Sequence, residues 1–170
     1  MFVEHQIEDN WCWAAVAVSI HNFLNPPAAP ATPLQDQGQL ATQVLLADGQ
    51  IPAGVRCDRT PGLCDYPGRL DEALAAAGNL RKVFPNNHLD YPSLKACINK
   101  DLPVAARIVW RGGSAHFIVL DGYTELANGD VLISVQDPLY GPSLQYYGDL
   151  INDYPPGGGW QDTFIPKRGS

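Results

Sequence analysis

Four cysteines and four histidines carry most of the nucleophilic and base chemistry this chain could perform, and they are not equivalent. Cys12 stands between Trp11 and Trp13 at the start of an Ala-rich apolar run, Trp11 to Leu24, that Asn25-Pro26-Pro27 closes. Asn10 is a suitable cap, so the run predicts a helix with Cys12 in its first turn. Its apolar residues run nearly all round, which predicts a buried central helix. At a helix start, unpaired backbone N–H groups and the helix dipole favour the thiolate, the nucleophilic form of cysteine. The plain alternative is a small buried side chain, because free cysteine is among the most buried residue types.

A thiolate nucleophile needs an imidazole, and the choice lies among His5, His21, His88 and His116. His21 falls nine positions after Cys12, and nine steps of about 100° put it on the opposite helix face. His88 sits in the polar, turn-like Asn86-Asn87-His88, and His5 would have to fold back onto the helix start. His116 follows Gly112-Gly113-Ser114-Ala115 and opens the apolar run Phe117 to Leu120, so its ring is expected at a strand end between rigid neighbours. An isolated histidine there reads as structural; a partner in Cys12 turns it toward catalysis.

An imidazole base is oriented by a third group on its other nitrogen, here expected to be Nδ1. Asp137 ends the run Val131 to Gln136, which should return beside the His116 strand, and Pro138 stops it. An Asp-Pro turn is the plain alternative. Asp121 is the rival, five residues after His116 and so on the opposite face. Asp137 faces His116 directly only if the hairpin is centred between Leu126 and Ala127. A two-residue turn at Asn128-Gly129 would set it opposite Leu120 instead, so a longer loop with Gly129 at positive φ is predicted. Gln6 precedes Cys12 by six residues, and a bend at Glu8-Asp9-Asn10 could bring its amide beside the thiol. There it and the Cys12 N–H would meet a developing oxyanion. Taken alone, Gln6 is a surface glutamine.

These residues need a scaffold that brings a helix start against a strand end. The chain has 170 residues, of which 45% are hydrophobic and 17% charged. A chain of that size buries roughly 70% of its unfolded surface, which predicts one domain with its own core. Leu40, Ala41, Val44 and Leu45 predict a second helix. Leu70, Ala73, Leu74 and Ala77, stopped by Gly78, predict a third, and Asp90 caps a fourth through Leu94, Cys97 and Ile98. Strands follow at Val104 to Trp110, His116 to Tyr123, Val131 to Gln136 and Trp160 to Ile165. The pattern reads as α+β, a helical half over about 1–100, an antiparallel half over about 101–170, and a cleft between them. Pro26 to Pro33 reads as a stiff connector.

The formal net charge is −7, which repels phosphate backbones and argues against nucleic acid and anionic membranes as partners. No apolar stretch approaches the roughly 20 residues of a membrane span. No signal peptide is visible before Cys12. Cys57 and Cys64 flank Arg59-Thr60-Pro61-Gly62 and are expected to form a local disulfide if the protein works outside the cytosol, two free thiols being the alternative. Their spacing does not fit a zinc knuckle, so no metal is expected. Cys97 reads as core.

Three blocks now carry a resemblance. Gln6-Ile7-Glu8-Asp9-Asn10-Trp11-Cys12-Trp13-Ala14-Ala15, Ser114-Ala115-His116-Phe117-Ile118-Val119-Leu120-Asp121-Gly122-Tyr123 and Asp137-Pro138-Leu139-Tyr140-Gly141 resemble the signature blocks of papain-like cysteine proteases. They are most similar to the small bacterial branch of staphopains and secreted effector proteases, and to the peptidases that process bacteriocin leaders. The resemblance implies that Cys12 is the nucleophile, His116 the general base and acid, Asp137 the orienting group and Gln6 the oxyanion donor. Two departures stand out: Asp137 where papain has Asn, and a chain shorter than papain. The expected activity is a cysteine endopeptidase on protein or peptide substrates without a cofactor, secreted or delivered into a target cell, with a domain excised from a longer polypeptide as the expected setting. Rival readings are another papain-fold amide hydrolase, such as a peptidoglycan amidase or glutamine deamidase, and a catalytically silent binding module. Tyr140, Trp13, Trp110, Gly112 and Gly113 are candidates to line the cleft.

Overall fold

Every residue from Cys12 to Ile20 is buried in the first helix, as an apolar sequence with no polar face requires. A computed structural model describes residues 1–26 and 34–169; most of the Pro-rich connector lies outside them. Among the described residues the order is α1 (Cys12–Leu24), α2 (Gln37–Ala47), a 3-10 turn (Pro61–Cys64), α3 (Leu70–Ala76), β1 (Leu80–Phe84) and α4 (Tyr91–Ile98). Then come β2 (Val104–Trp110), β3 (Ala115–Glu125), β4 (Val131–Asp137), β5 (Gly141–Tyr146), α5 (Tyr147–Asn152) and β6 (Gly158–Pro166). None of these helices is long and apolar enough to cross a membrane.

The six strands form one antiparallel sheet in the order β1-β6-β2-β3-β4-β5. Alternation along β3 sends Phe117 and Val119 to one face and Ile118 and Leu120 to the other. The first face packs against α1, α2 and α3 with Ala105 and Phe164. The second encloses Ala106, Ile133 and Val135 with Leu94 of α4 and Leu150 of α5. Each buried Val, Leu or Ile contributes about 1.5–3 kcal/mol, so the first layer holds α1 against the sheet and the second holds α4 and α5 on its other face. β1 and α4, from the stretch assigned to the helical half, pack with the sheet.

Two local expectations change and one holds. The helix begins at Cys12, with Trp11 at the cap position and no side-chain cap bond. Asn10 is occupied elsewhere: its backbone N–H donates to Asp65 Oδ1 at 2.8 Å and its amide to Asp65 O at 3.3 Å. The β3–β4 register matches neither anticipated pairing. Gly122 pairs with Ser134, a slip follows at Asp121, and Leu120 then pairs with Val135 and Val119 with Gln136. Continuing that register sets Asp137 level with Ile118, diagonal to His116 on the same face rather than opposite it. The loop is the longer kind: Leu126 N donates to Asp130 O at 2.8 Å, and Gly129 takes φ +91° where a side chain would be strained.

The strands β1 and β5 and the six-residue α5 have no strong sequence signal. Both strands are sheet edges, β1 carrying Arg81 and Lys82 and β5 opening with Gly141-Pro142. Edge positions tolerate Pro and charge because one row of backbone groups needs no partner strand.

Candidate active site

Cys12 is the first residue of α1, so its backbone N–H has no intrahelical acceptor. Segment 64–66 grips the residues around it. Trp11 Nε1 donates to Cys64 O at 2.7 Å and Trp13 Nε1 to Tyr66 O at 3.2 Å. Gly68 lies flush on the Trp13 indole, where an added Cβ would come within 2.3 Å of a ring carbon. Cys57 and Cys64 are joined by a disulfide, with Cα atoms 5.6 Å apart, at the head of this segment. Cys97 is a free, half-buried thiol on α4.

His116, near the start of β3, and Asp137, the last residue of β4, are both buried. His116 Nε2 donates to Asp137 Oδ1 at 2.8 Å. The nitrogen engaged is therefore Nε2 and not the Nδ1 expected. Burial lowers the His116 pKa, but hydrogen bonds to Asp137 and to Cys12, with the charge of both, outweigh it and raise it to about 9. With Nε2 on Asp137, Nδ1 is the ring nitrogen left for Cys12, which lines the same cavity.

Asp137 also forms the turn that its Asp-Pro sequence suggests. Its Oδ1 accepts from Leu139 N at 2.8 Å and Tyr140 N at 3.0 Å, while Oδ2 accepts from Tyr154 Oη at 2.8 Å. Burial raises its pKa, yet the hydrogen bond and charge of His116 and the two backbone N–H groups together hold it below the ordinary carboxylate value. Asp121 is elsewhere, at the slip in the β3–β4 pairing, taking Ser134 Oγ at 2.7 Å.

Gln6 is buried beside this turn, its backbone N–H donating to Pro138 O at 2.9 Å. It is no surface glutamine. Its amide Nε2 donates to Glu8 O at 3.0 Å and Asp9 O at 2.7 Å, which shapes the bend leading into Cys12. Its Oε1 is buried without a partner. Both amide protons are thus engaged inside the bend.

The other histidines stay apart from this cluster. His21 Nδ1 lies 2.8 Å from Asn79 Oδ1 and 3.0 Å from Ala77 O, and His88 packs near Trp160. His5 contributes its carbonyl to Gln37 Nε2 at 2.9 Å.

A cavity of about 610 Å³ opens directly on Cys12 and His116. Trp13, Gly113, Leu70 and Phe164 line its apolar part, and the Arg107–Asp162 ion pair, at 2.9 Å, lines its polar part. Tyr140 is 73% exposed and turns its ring edge toward His116 at 6.3 Å. Trp110 packs beside the imidazole at 6.5 Å. Of the residues expected to line the cleft, Trp13 and Gly113 do so, and Tyr140, Trp110 and Gly112 do not line this cavity. Tyr154 and Arg107 are the site-adjacent residues that sequence reading misses. Tyr154 sits in a Tyr-Pro-Pro-Gly turn and Arg107 inside a strand, so neither carries a local pattern pointing to the site.

No protein-family model matches the chain, and no curated protein matches it. Solved structures do. One is the Amb a 11 cysteine protease, a ragweed pollen allergen, in its proform: 17% identity, TM-score 0.56, covering 97% of this chain and 61% of that one. Another is the bromelain protease of Ananas comosus in complex with the E64 inhibitor: 15% identity, TM-score 0.55, covering 98% of this chain and 93% of that one. The chain thus spans less than two thirds of the pollen proform and nearly all of the bromelain chain. Both likenesses are to plant proteins, so they do not single out the small bacterial branch. What they establish together with the architecture is an α+β papain-like cysteine-protease fold, helical toward the N-terminus and antiparallel β toward the C-terminus, with the cleft between.

Proposed function

We propose that this chain is a cysteine endopeptidase. The Cys12 sulfur attacks a peptide carbonyl carbon, His116 gives its proton to the departing amine as the C–N bond breaks, and an acyl-enzyme remains. Water then gives a proton to His116 and its oxygen displaces the sulfur, restoring the pair. Asp137 keeps the imidazole aimed and stabilises its charged form. The Cys12 backbone N–H meets the oxyanion, and Gln6 joins it by exchanging one of its bend carbonyls for the substrate oxygen.

The observation that carries this reading is the buried His116 Nε2–Asp137 Oδ1 hydrogen bond of 2.8 Å beside a cavity that Cys12 and His116 line together. The Cys57–Cys64 bond supports a secreted or otherwise oxidising setting, where such bridges persist. We place the chain in the small bacterial branch on the three sequence blocks. Incubation with an unfolded protein, and in parallel with purified cell wall and with free glutamine-containing peptides, tests the activity. New peptide termini that disappear in Cys12→Ala are expected. Release of wall peptides or of ammonia, without backbone cleavage, would replace the peptidase with an amidase or deamidase.

A further inference from the structure

The two oxygens of Asp137 are held very differently. Oδ1 accepts three hydrogen bonds, from His116 Nε2, Leu139 N and Tyr140 N. Oδ2 accepts one, from Tyr154 Oη at 2.8 Å. Three bonds converging on a single atom fix its position but not the plane of the carboxylate. The plane depends on Oδ2, and among the described residues Tyr154 is its one protein donor. Both side chains are buried, at 4% exposure for each residue, so bulk water does not stand in for the hydroxyl.

Tyr154 is itself anchored without its hydroxyl. Its backbone N–H donates to Gly158 O at 2.7 Å and its carbonyl accepts from Gly158 N at 2.6 Å. Its ring packs edge-on to Trp110 at 6.5 Å, and Trp110 in turn packs beside His116. Burial and the nearby Asp137 charge raise the phenol pKa, so it remains a donor through the neutral and mildly alkaline range.

We propose that Tyr154 is a positioning residue for His116: its hydroxyl sets the plane of the Asp137 carboxylate, which aims Nε2 and so points Nδ1 at Cys12. The proposal rests on the peptidase reading. Leu139 and Tyr140 donate through backbone, so Tyr154 is the side chain through which this alignment is tuned. It also fits Asp at the third position: the carboxylate accepts from every group around it, the Tyr154 hydroxyl included, whereas with Asn the Tyr154 oxygen would have to turn from donor to acceptor.

Tyr154→Phe removes one oxygen and leaves the anchors in place. For a cleavable peptide, kcat is expected to fall about tenfold with KM nearly unchanged, and the loss to vanish when Asp137→Ala is already present. Alkylation of Cys12 by iodoacetamide at neutral pH, followed by mass measurement, should slow in the same variant. Thermal unfolding of each variant excludes a collapsed fold as the cause. Unchanged kcat and alkylation in Tyr154→Phe, or an equal fold-loss with and without Asp137, overturns the proposal. Tyr154-dependent alkylation in a chain that cleaves no peptide would sink the peptidase reading while leaving the positioning role intact. Cys12-dependent cleavage indifferent to Tyr154 would do the reverse.

Discussion

Around Cys12 the restraints are neutral: buried alanines and valines along α1 and indole N–H groups on the carbonyls of Cys64 and Tyr66. A disulfide closes the loop that supplies one of those carbonyls. Around His116 and Asp137 they are ionic, a buried carboxylate ringed by an imidazole, two backbone N–H groups and a phenol. Neutral packing holds a position at every pH and loosens when the fold loosens. A buried charge network holds an orientation only while its protons are in place, because an unpaired buried charge costs several kcal/mol. The packing that places Cys12 should therefore fail through stability alone, and the network around His116 and Asp137 through protonation and geometry as well as stability.

The largest effect is expected from Cys12→Ala, with turnover falling on the order of 10⁴-fold or more and little change in thermal unfolding, since a lone sulfur leaves a small cavity. Retained cleavage would remove Cys12 from the chemistry. Next comes Asp137→Ala, expected to lower kcat about 10³-fold and to destabilise the fold, because it strands the donors of His116, Leu139, Tyr140 and Tyr154. Asp137→Asn should fall between wild type and Ala, since its amide oxygen still accepts from Nε2. Equal loss in both would show that charge, and not orientation, is what the third residue supplies.

Gln6→Ala should reduce kcat on the order of 10²-fold if the amide swings onto the oxyanion. Loss of stability with unchanged kcat would confine Gln6 to shaping the bend before Cys12. Replacing Cys57 and Cys64 together by Ser should lower stability by about 2–3 kcal/mol through the freed loop, with activity at low temperature little changed. Denaturant unfolding with and without reductant measures it, and equal midpoints would dissolve the contrast on the nucleophile side.

The smallest effect is a pH dependence specific to the base side. His116 is raised from 6.5 to about 9, so the folded chain binds that proton more tightly than the unfolded one. The stabilisation is complete below pH 6.5 and is lost as pH rises through about 9. Asp137 is shifted down, so its contribution is present above the ordinary carboxylate value and is lost as pH falls through its depressed value. Activity should share the alkaline limb near 9. Chemical-shift titration of His116 reads this directly; an ordinary imidazole value would mean the ionic description is wrong.

Much of the scaffold was legible because its signals are local. The all-apolar helix from Cys12, the Asp90 cap that accepts from Ser93 N at 2.8 Å, and the bounds of β2 all follow from residues within one turn or one strand. Asn10 misled for an equally local reason: its capping preference lost to Asp65, fifty-five positions away. The edge strands β1 and β5 were faint because an edge needs only half its ladder and admits Arg, Lys, Gly and Pro.

By itself the sequence determined which residue types stand where: a cysteine opening a buried helix, a histidine opening an apolar strand, an aspartate stopped by proline, and a short Cys57–Cys64 spacing. Periodicity and turn chemistry act over a few residues, so they can be read in order along the chain. The tertiary structure alone decided the slip at Asp121, which makes His116 and Asp137 diagonal, and the His116 ring orientation that presents Nε2 to the carboxylate. It alone committed the Gln6 amide to two bend carbonyls and delivered the Tyr154 hydroxyl to the second carboxylate oxygen. Those are hydrogen bonds of 2.7–3.0 Å, some between distant segments. A one-residue change of register or a single rotamer makes or breaks them, and nothing in the local pattern carries that precision.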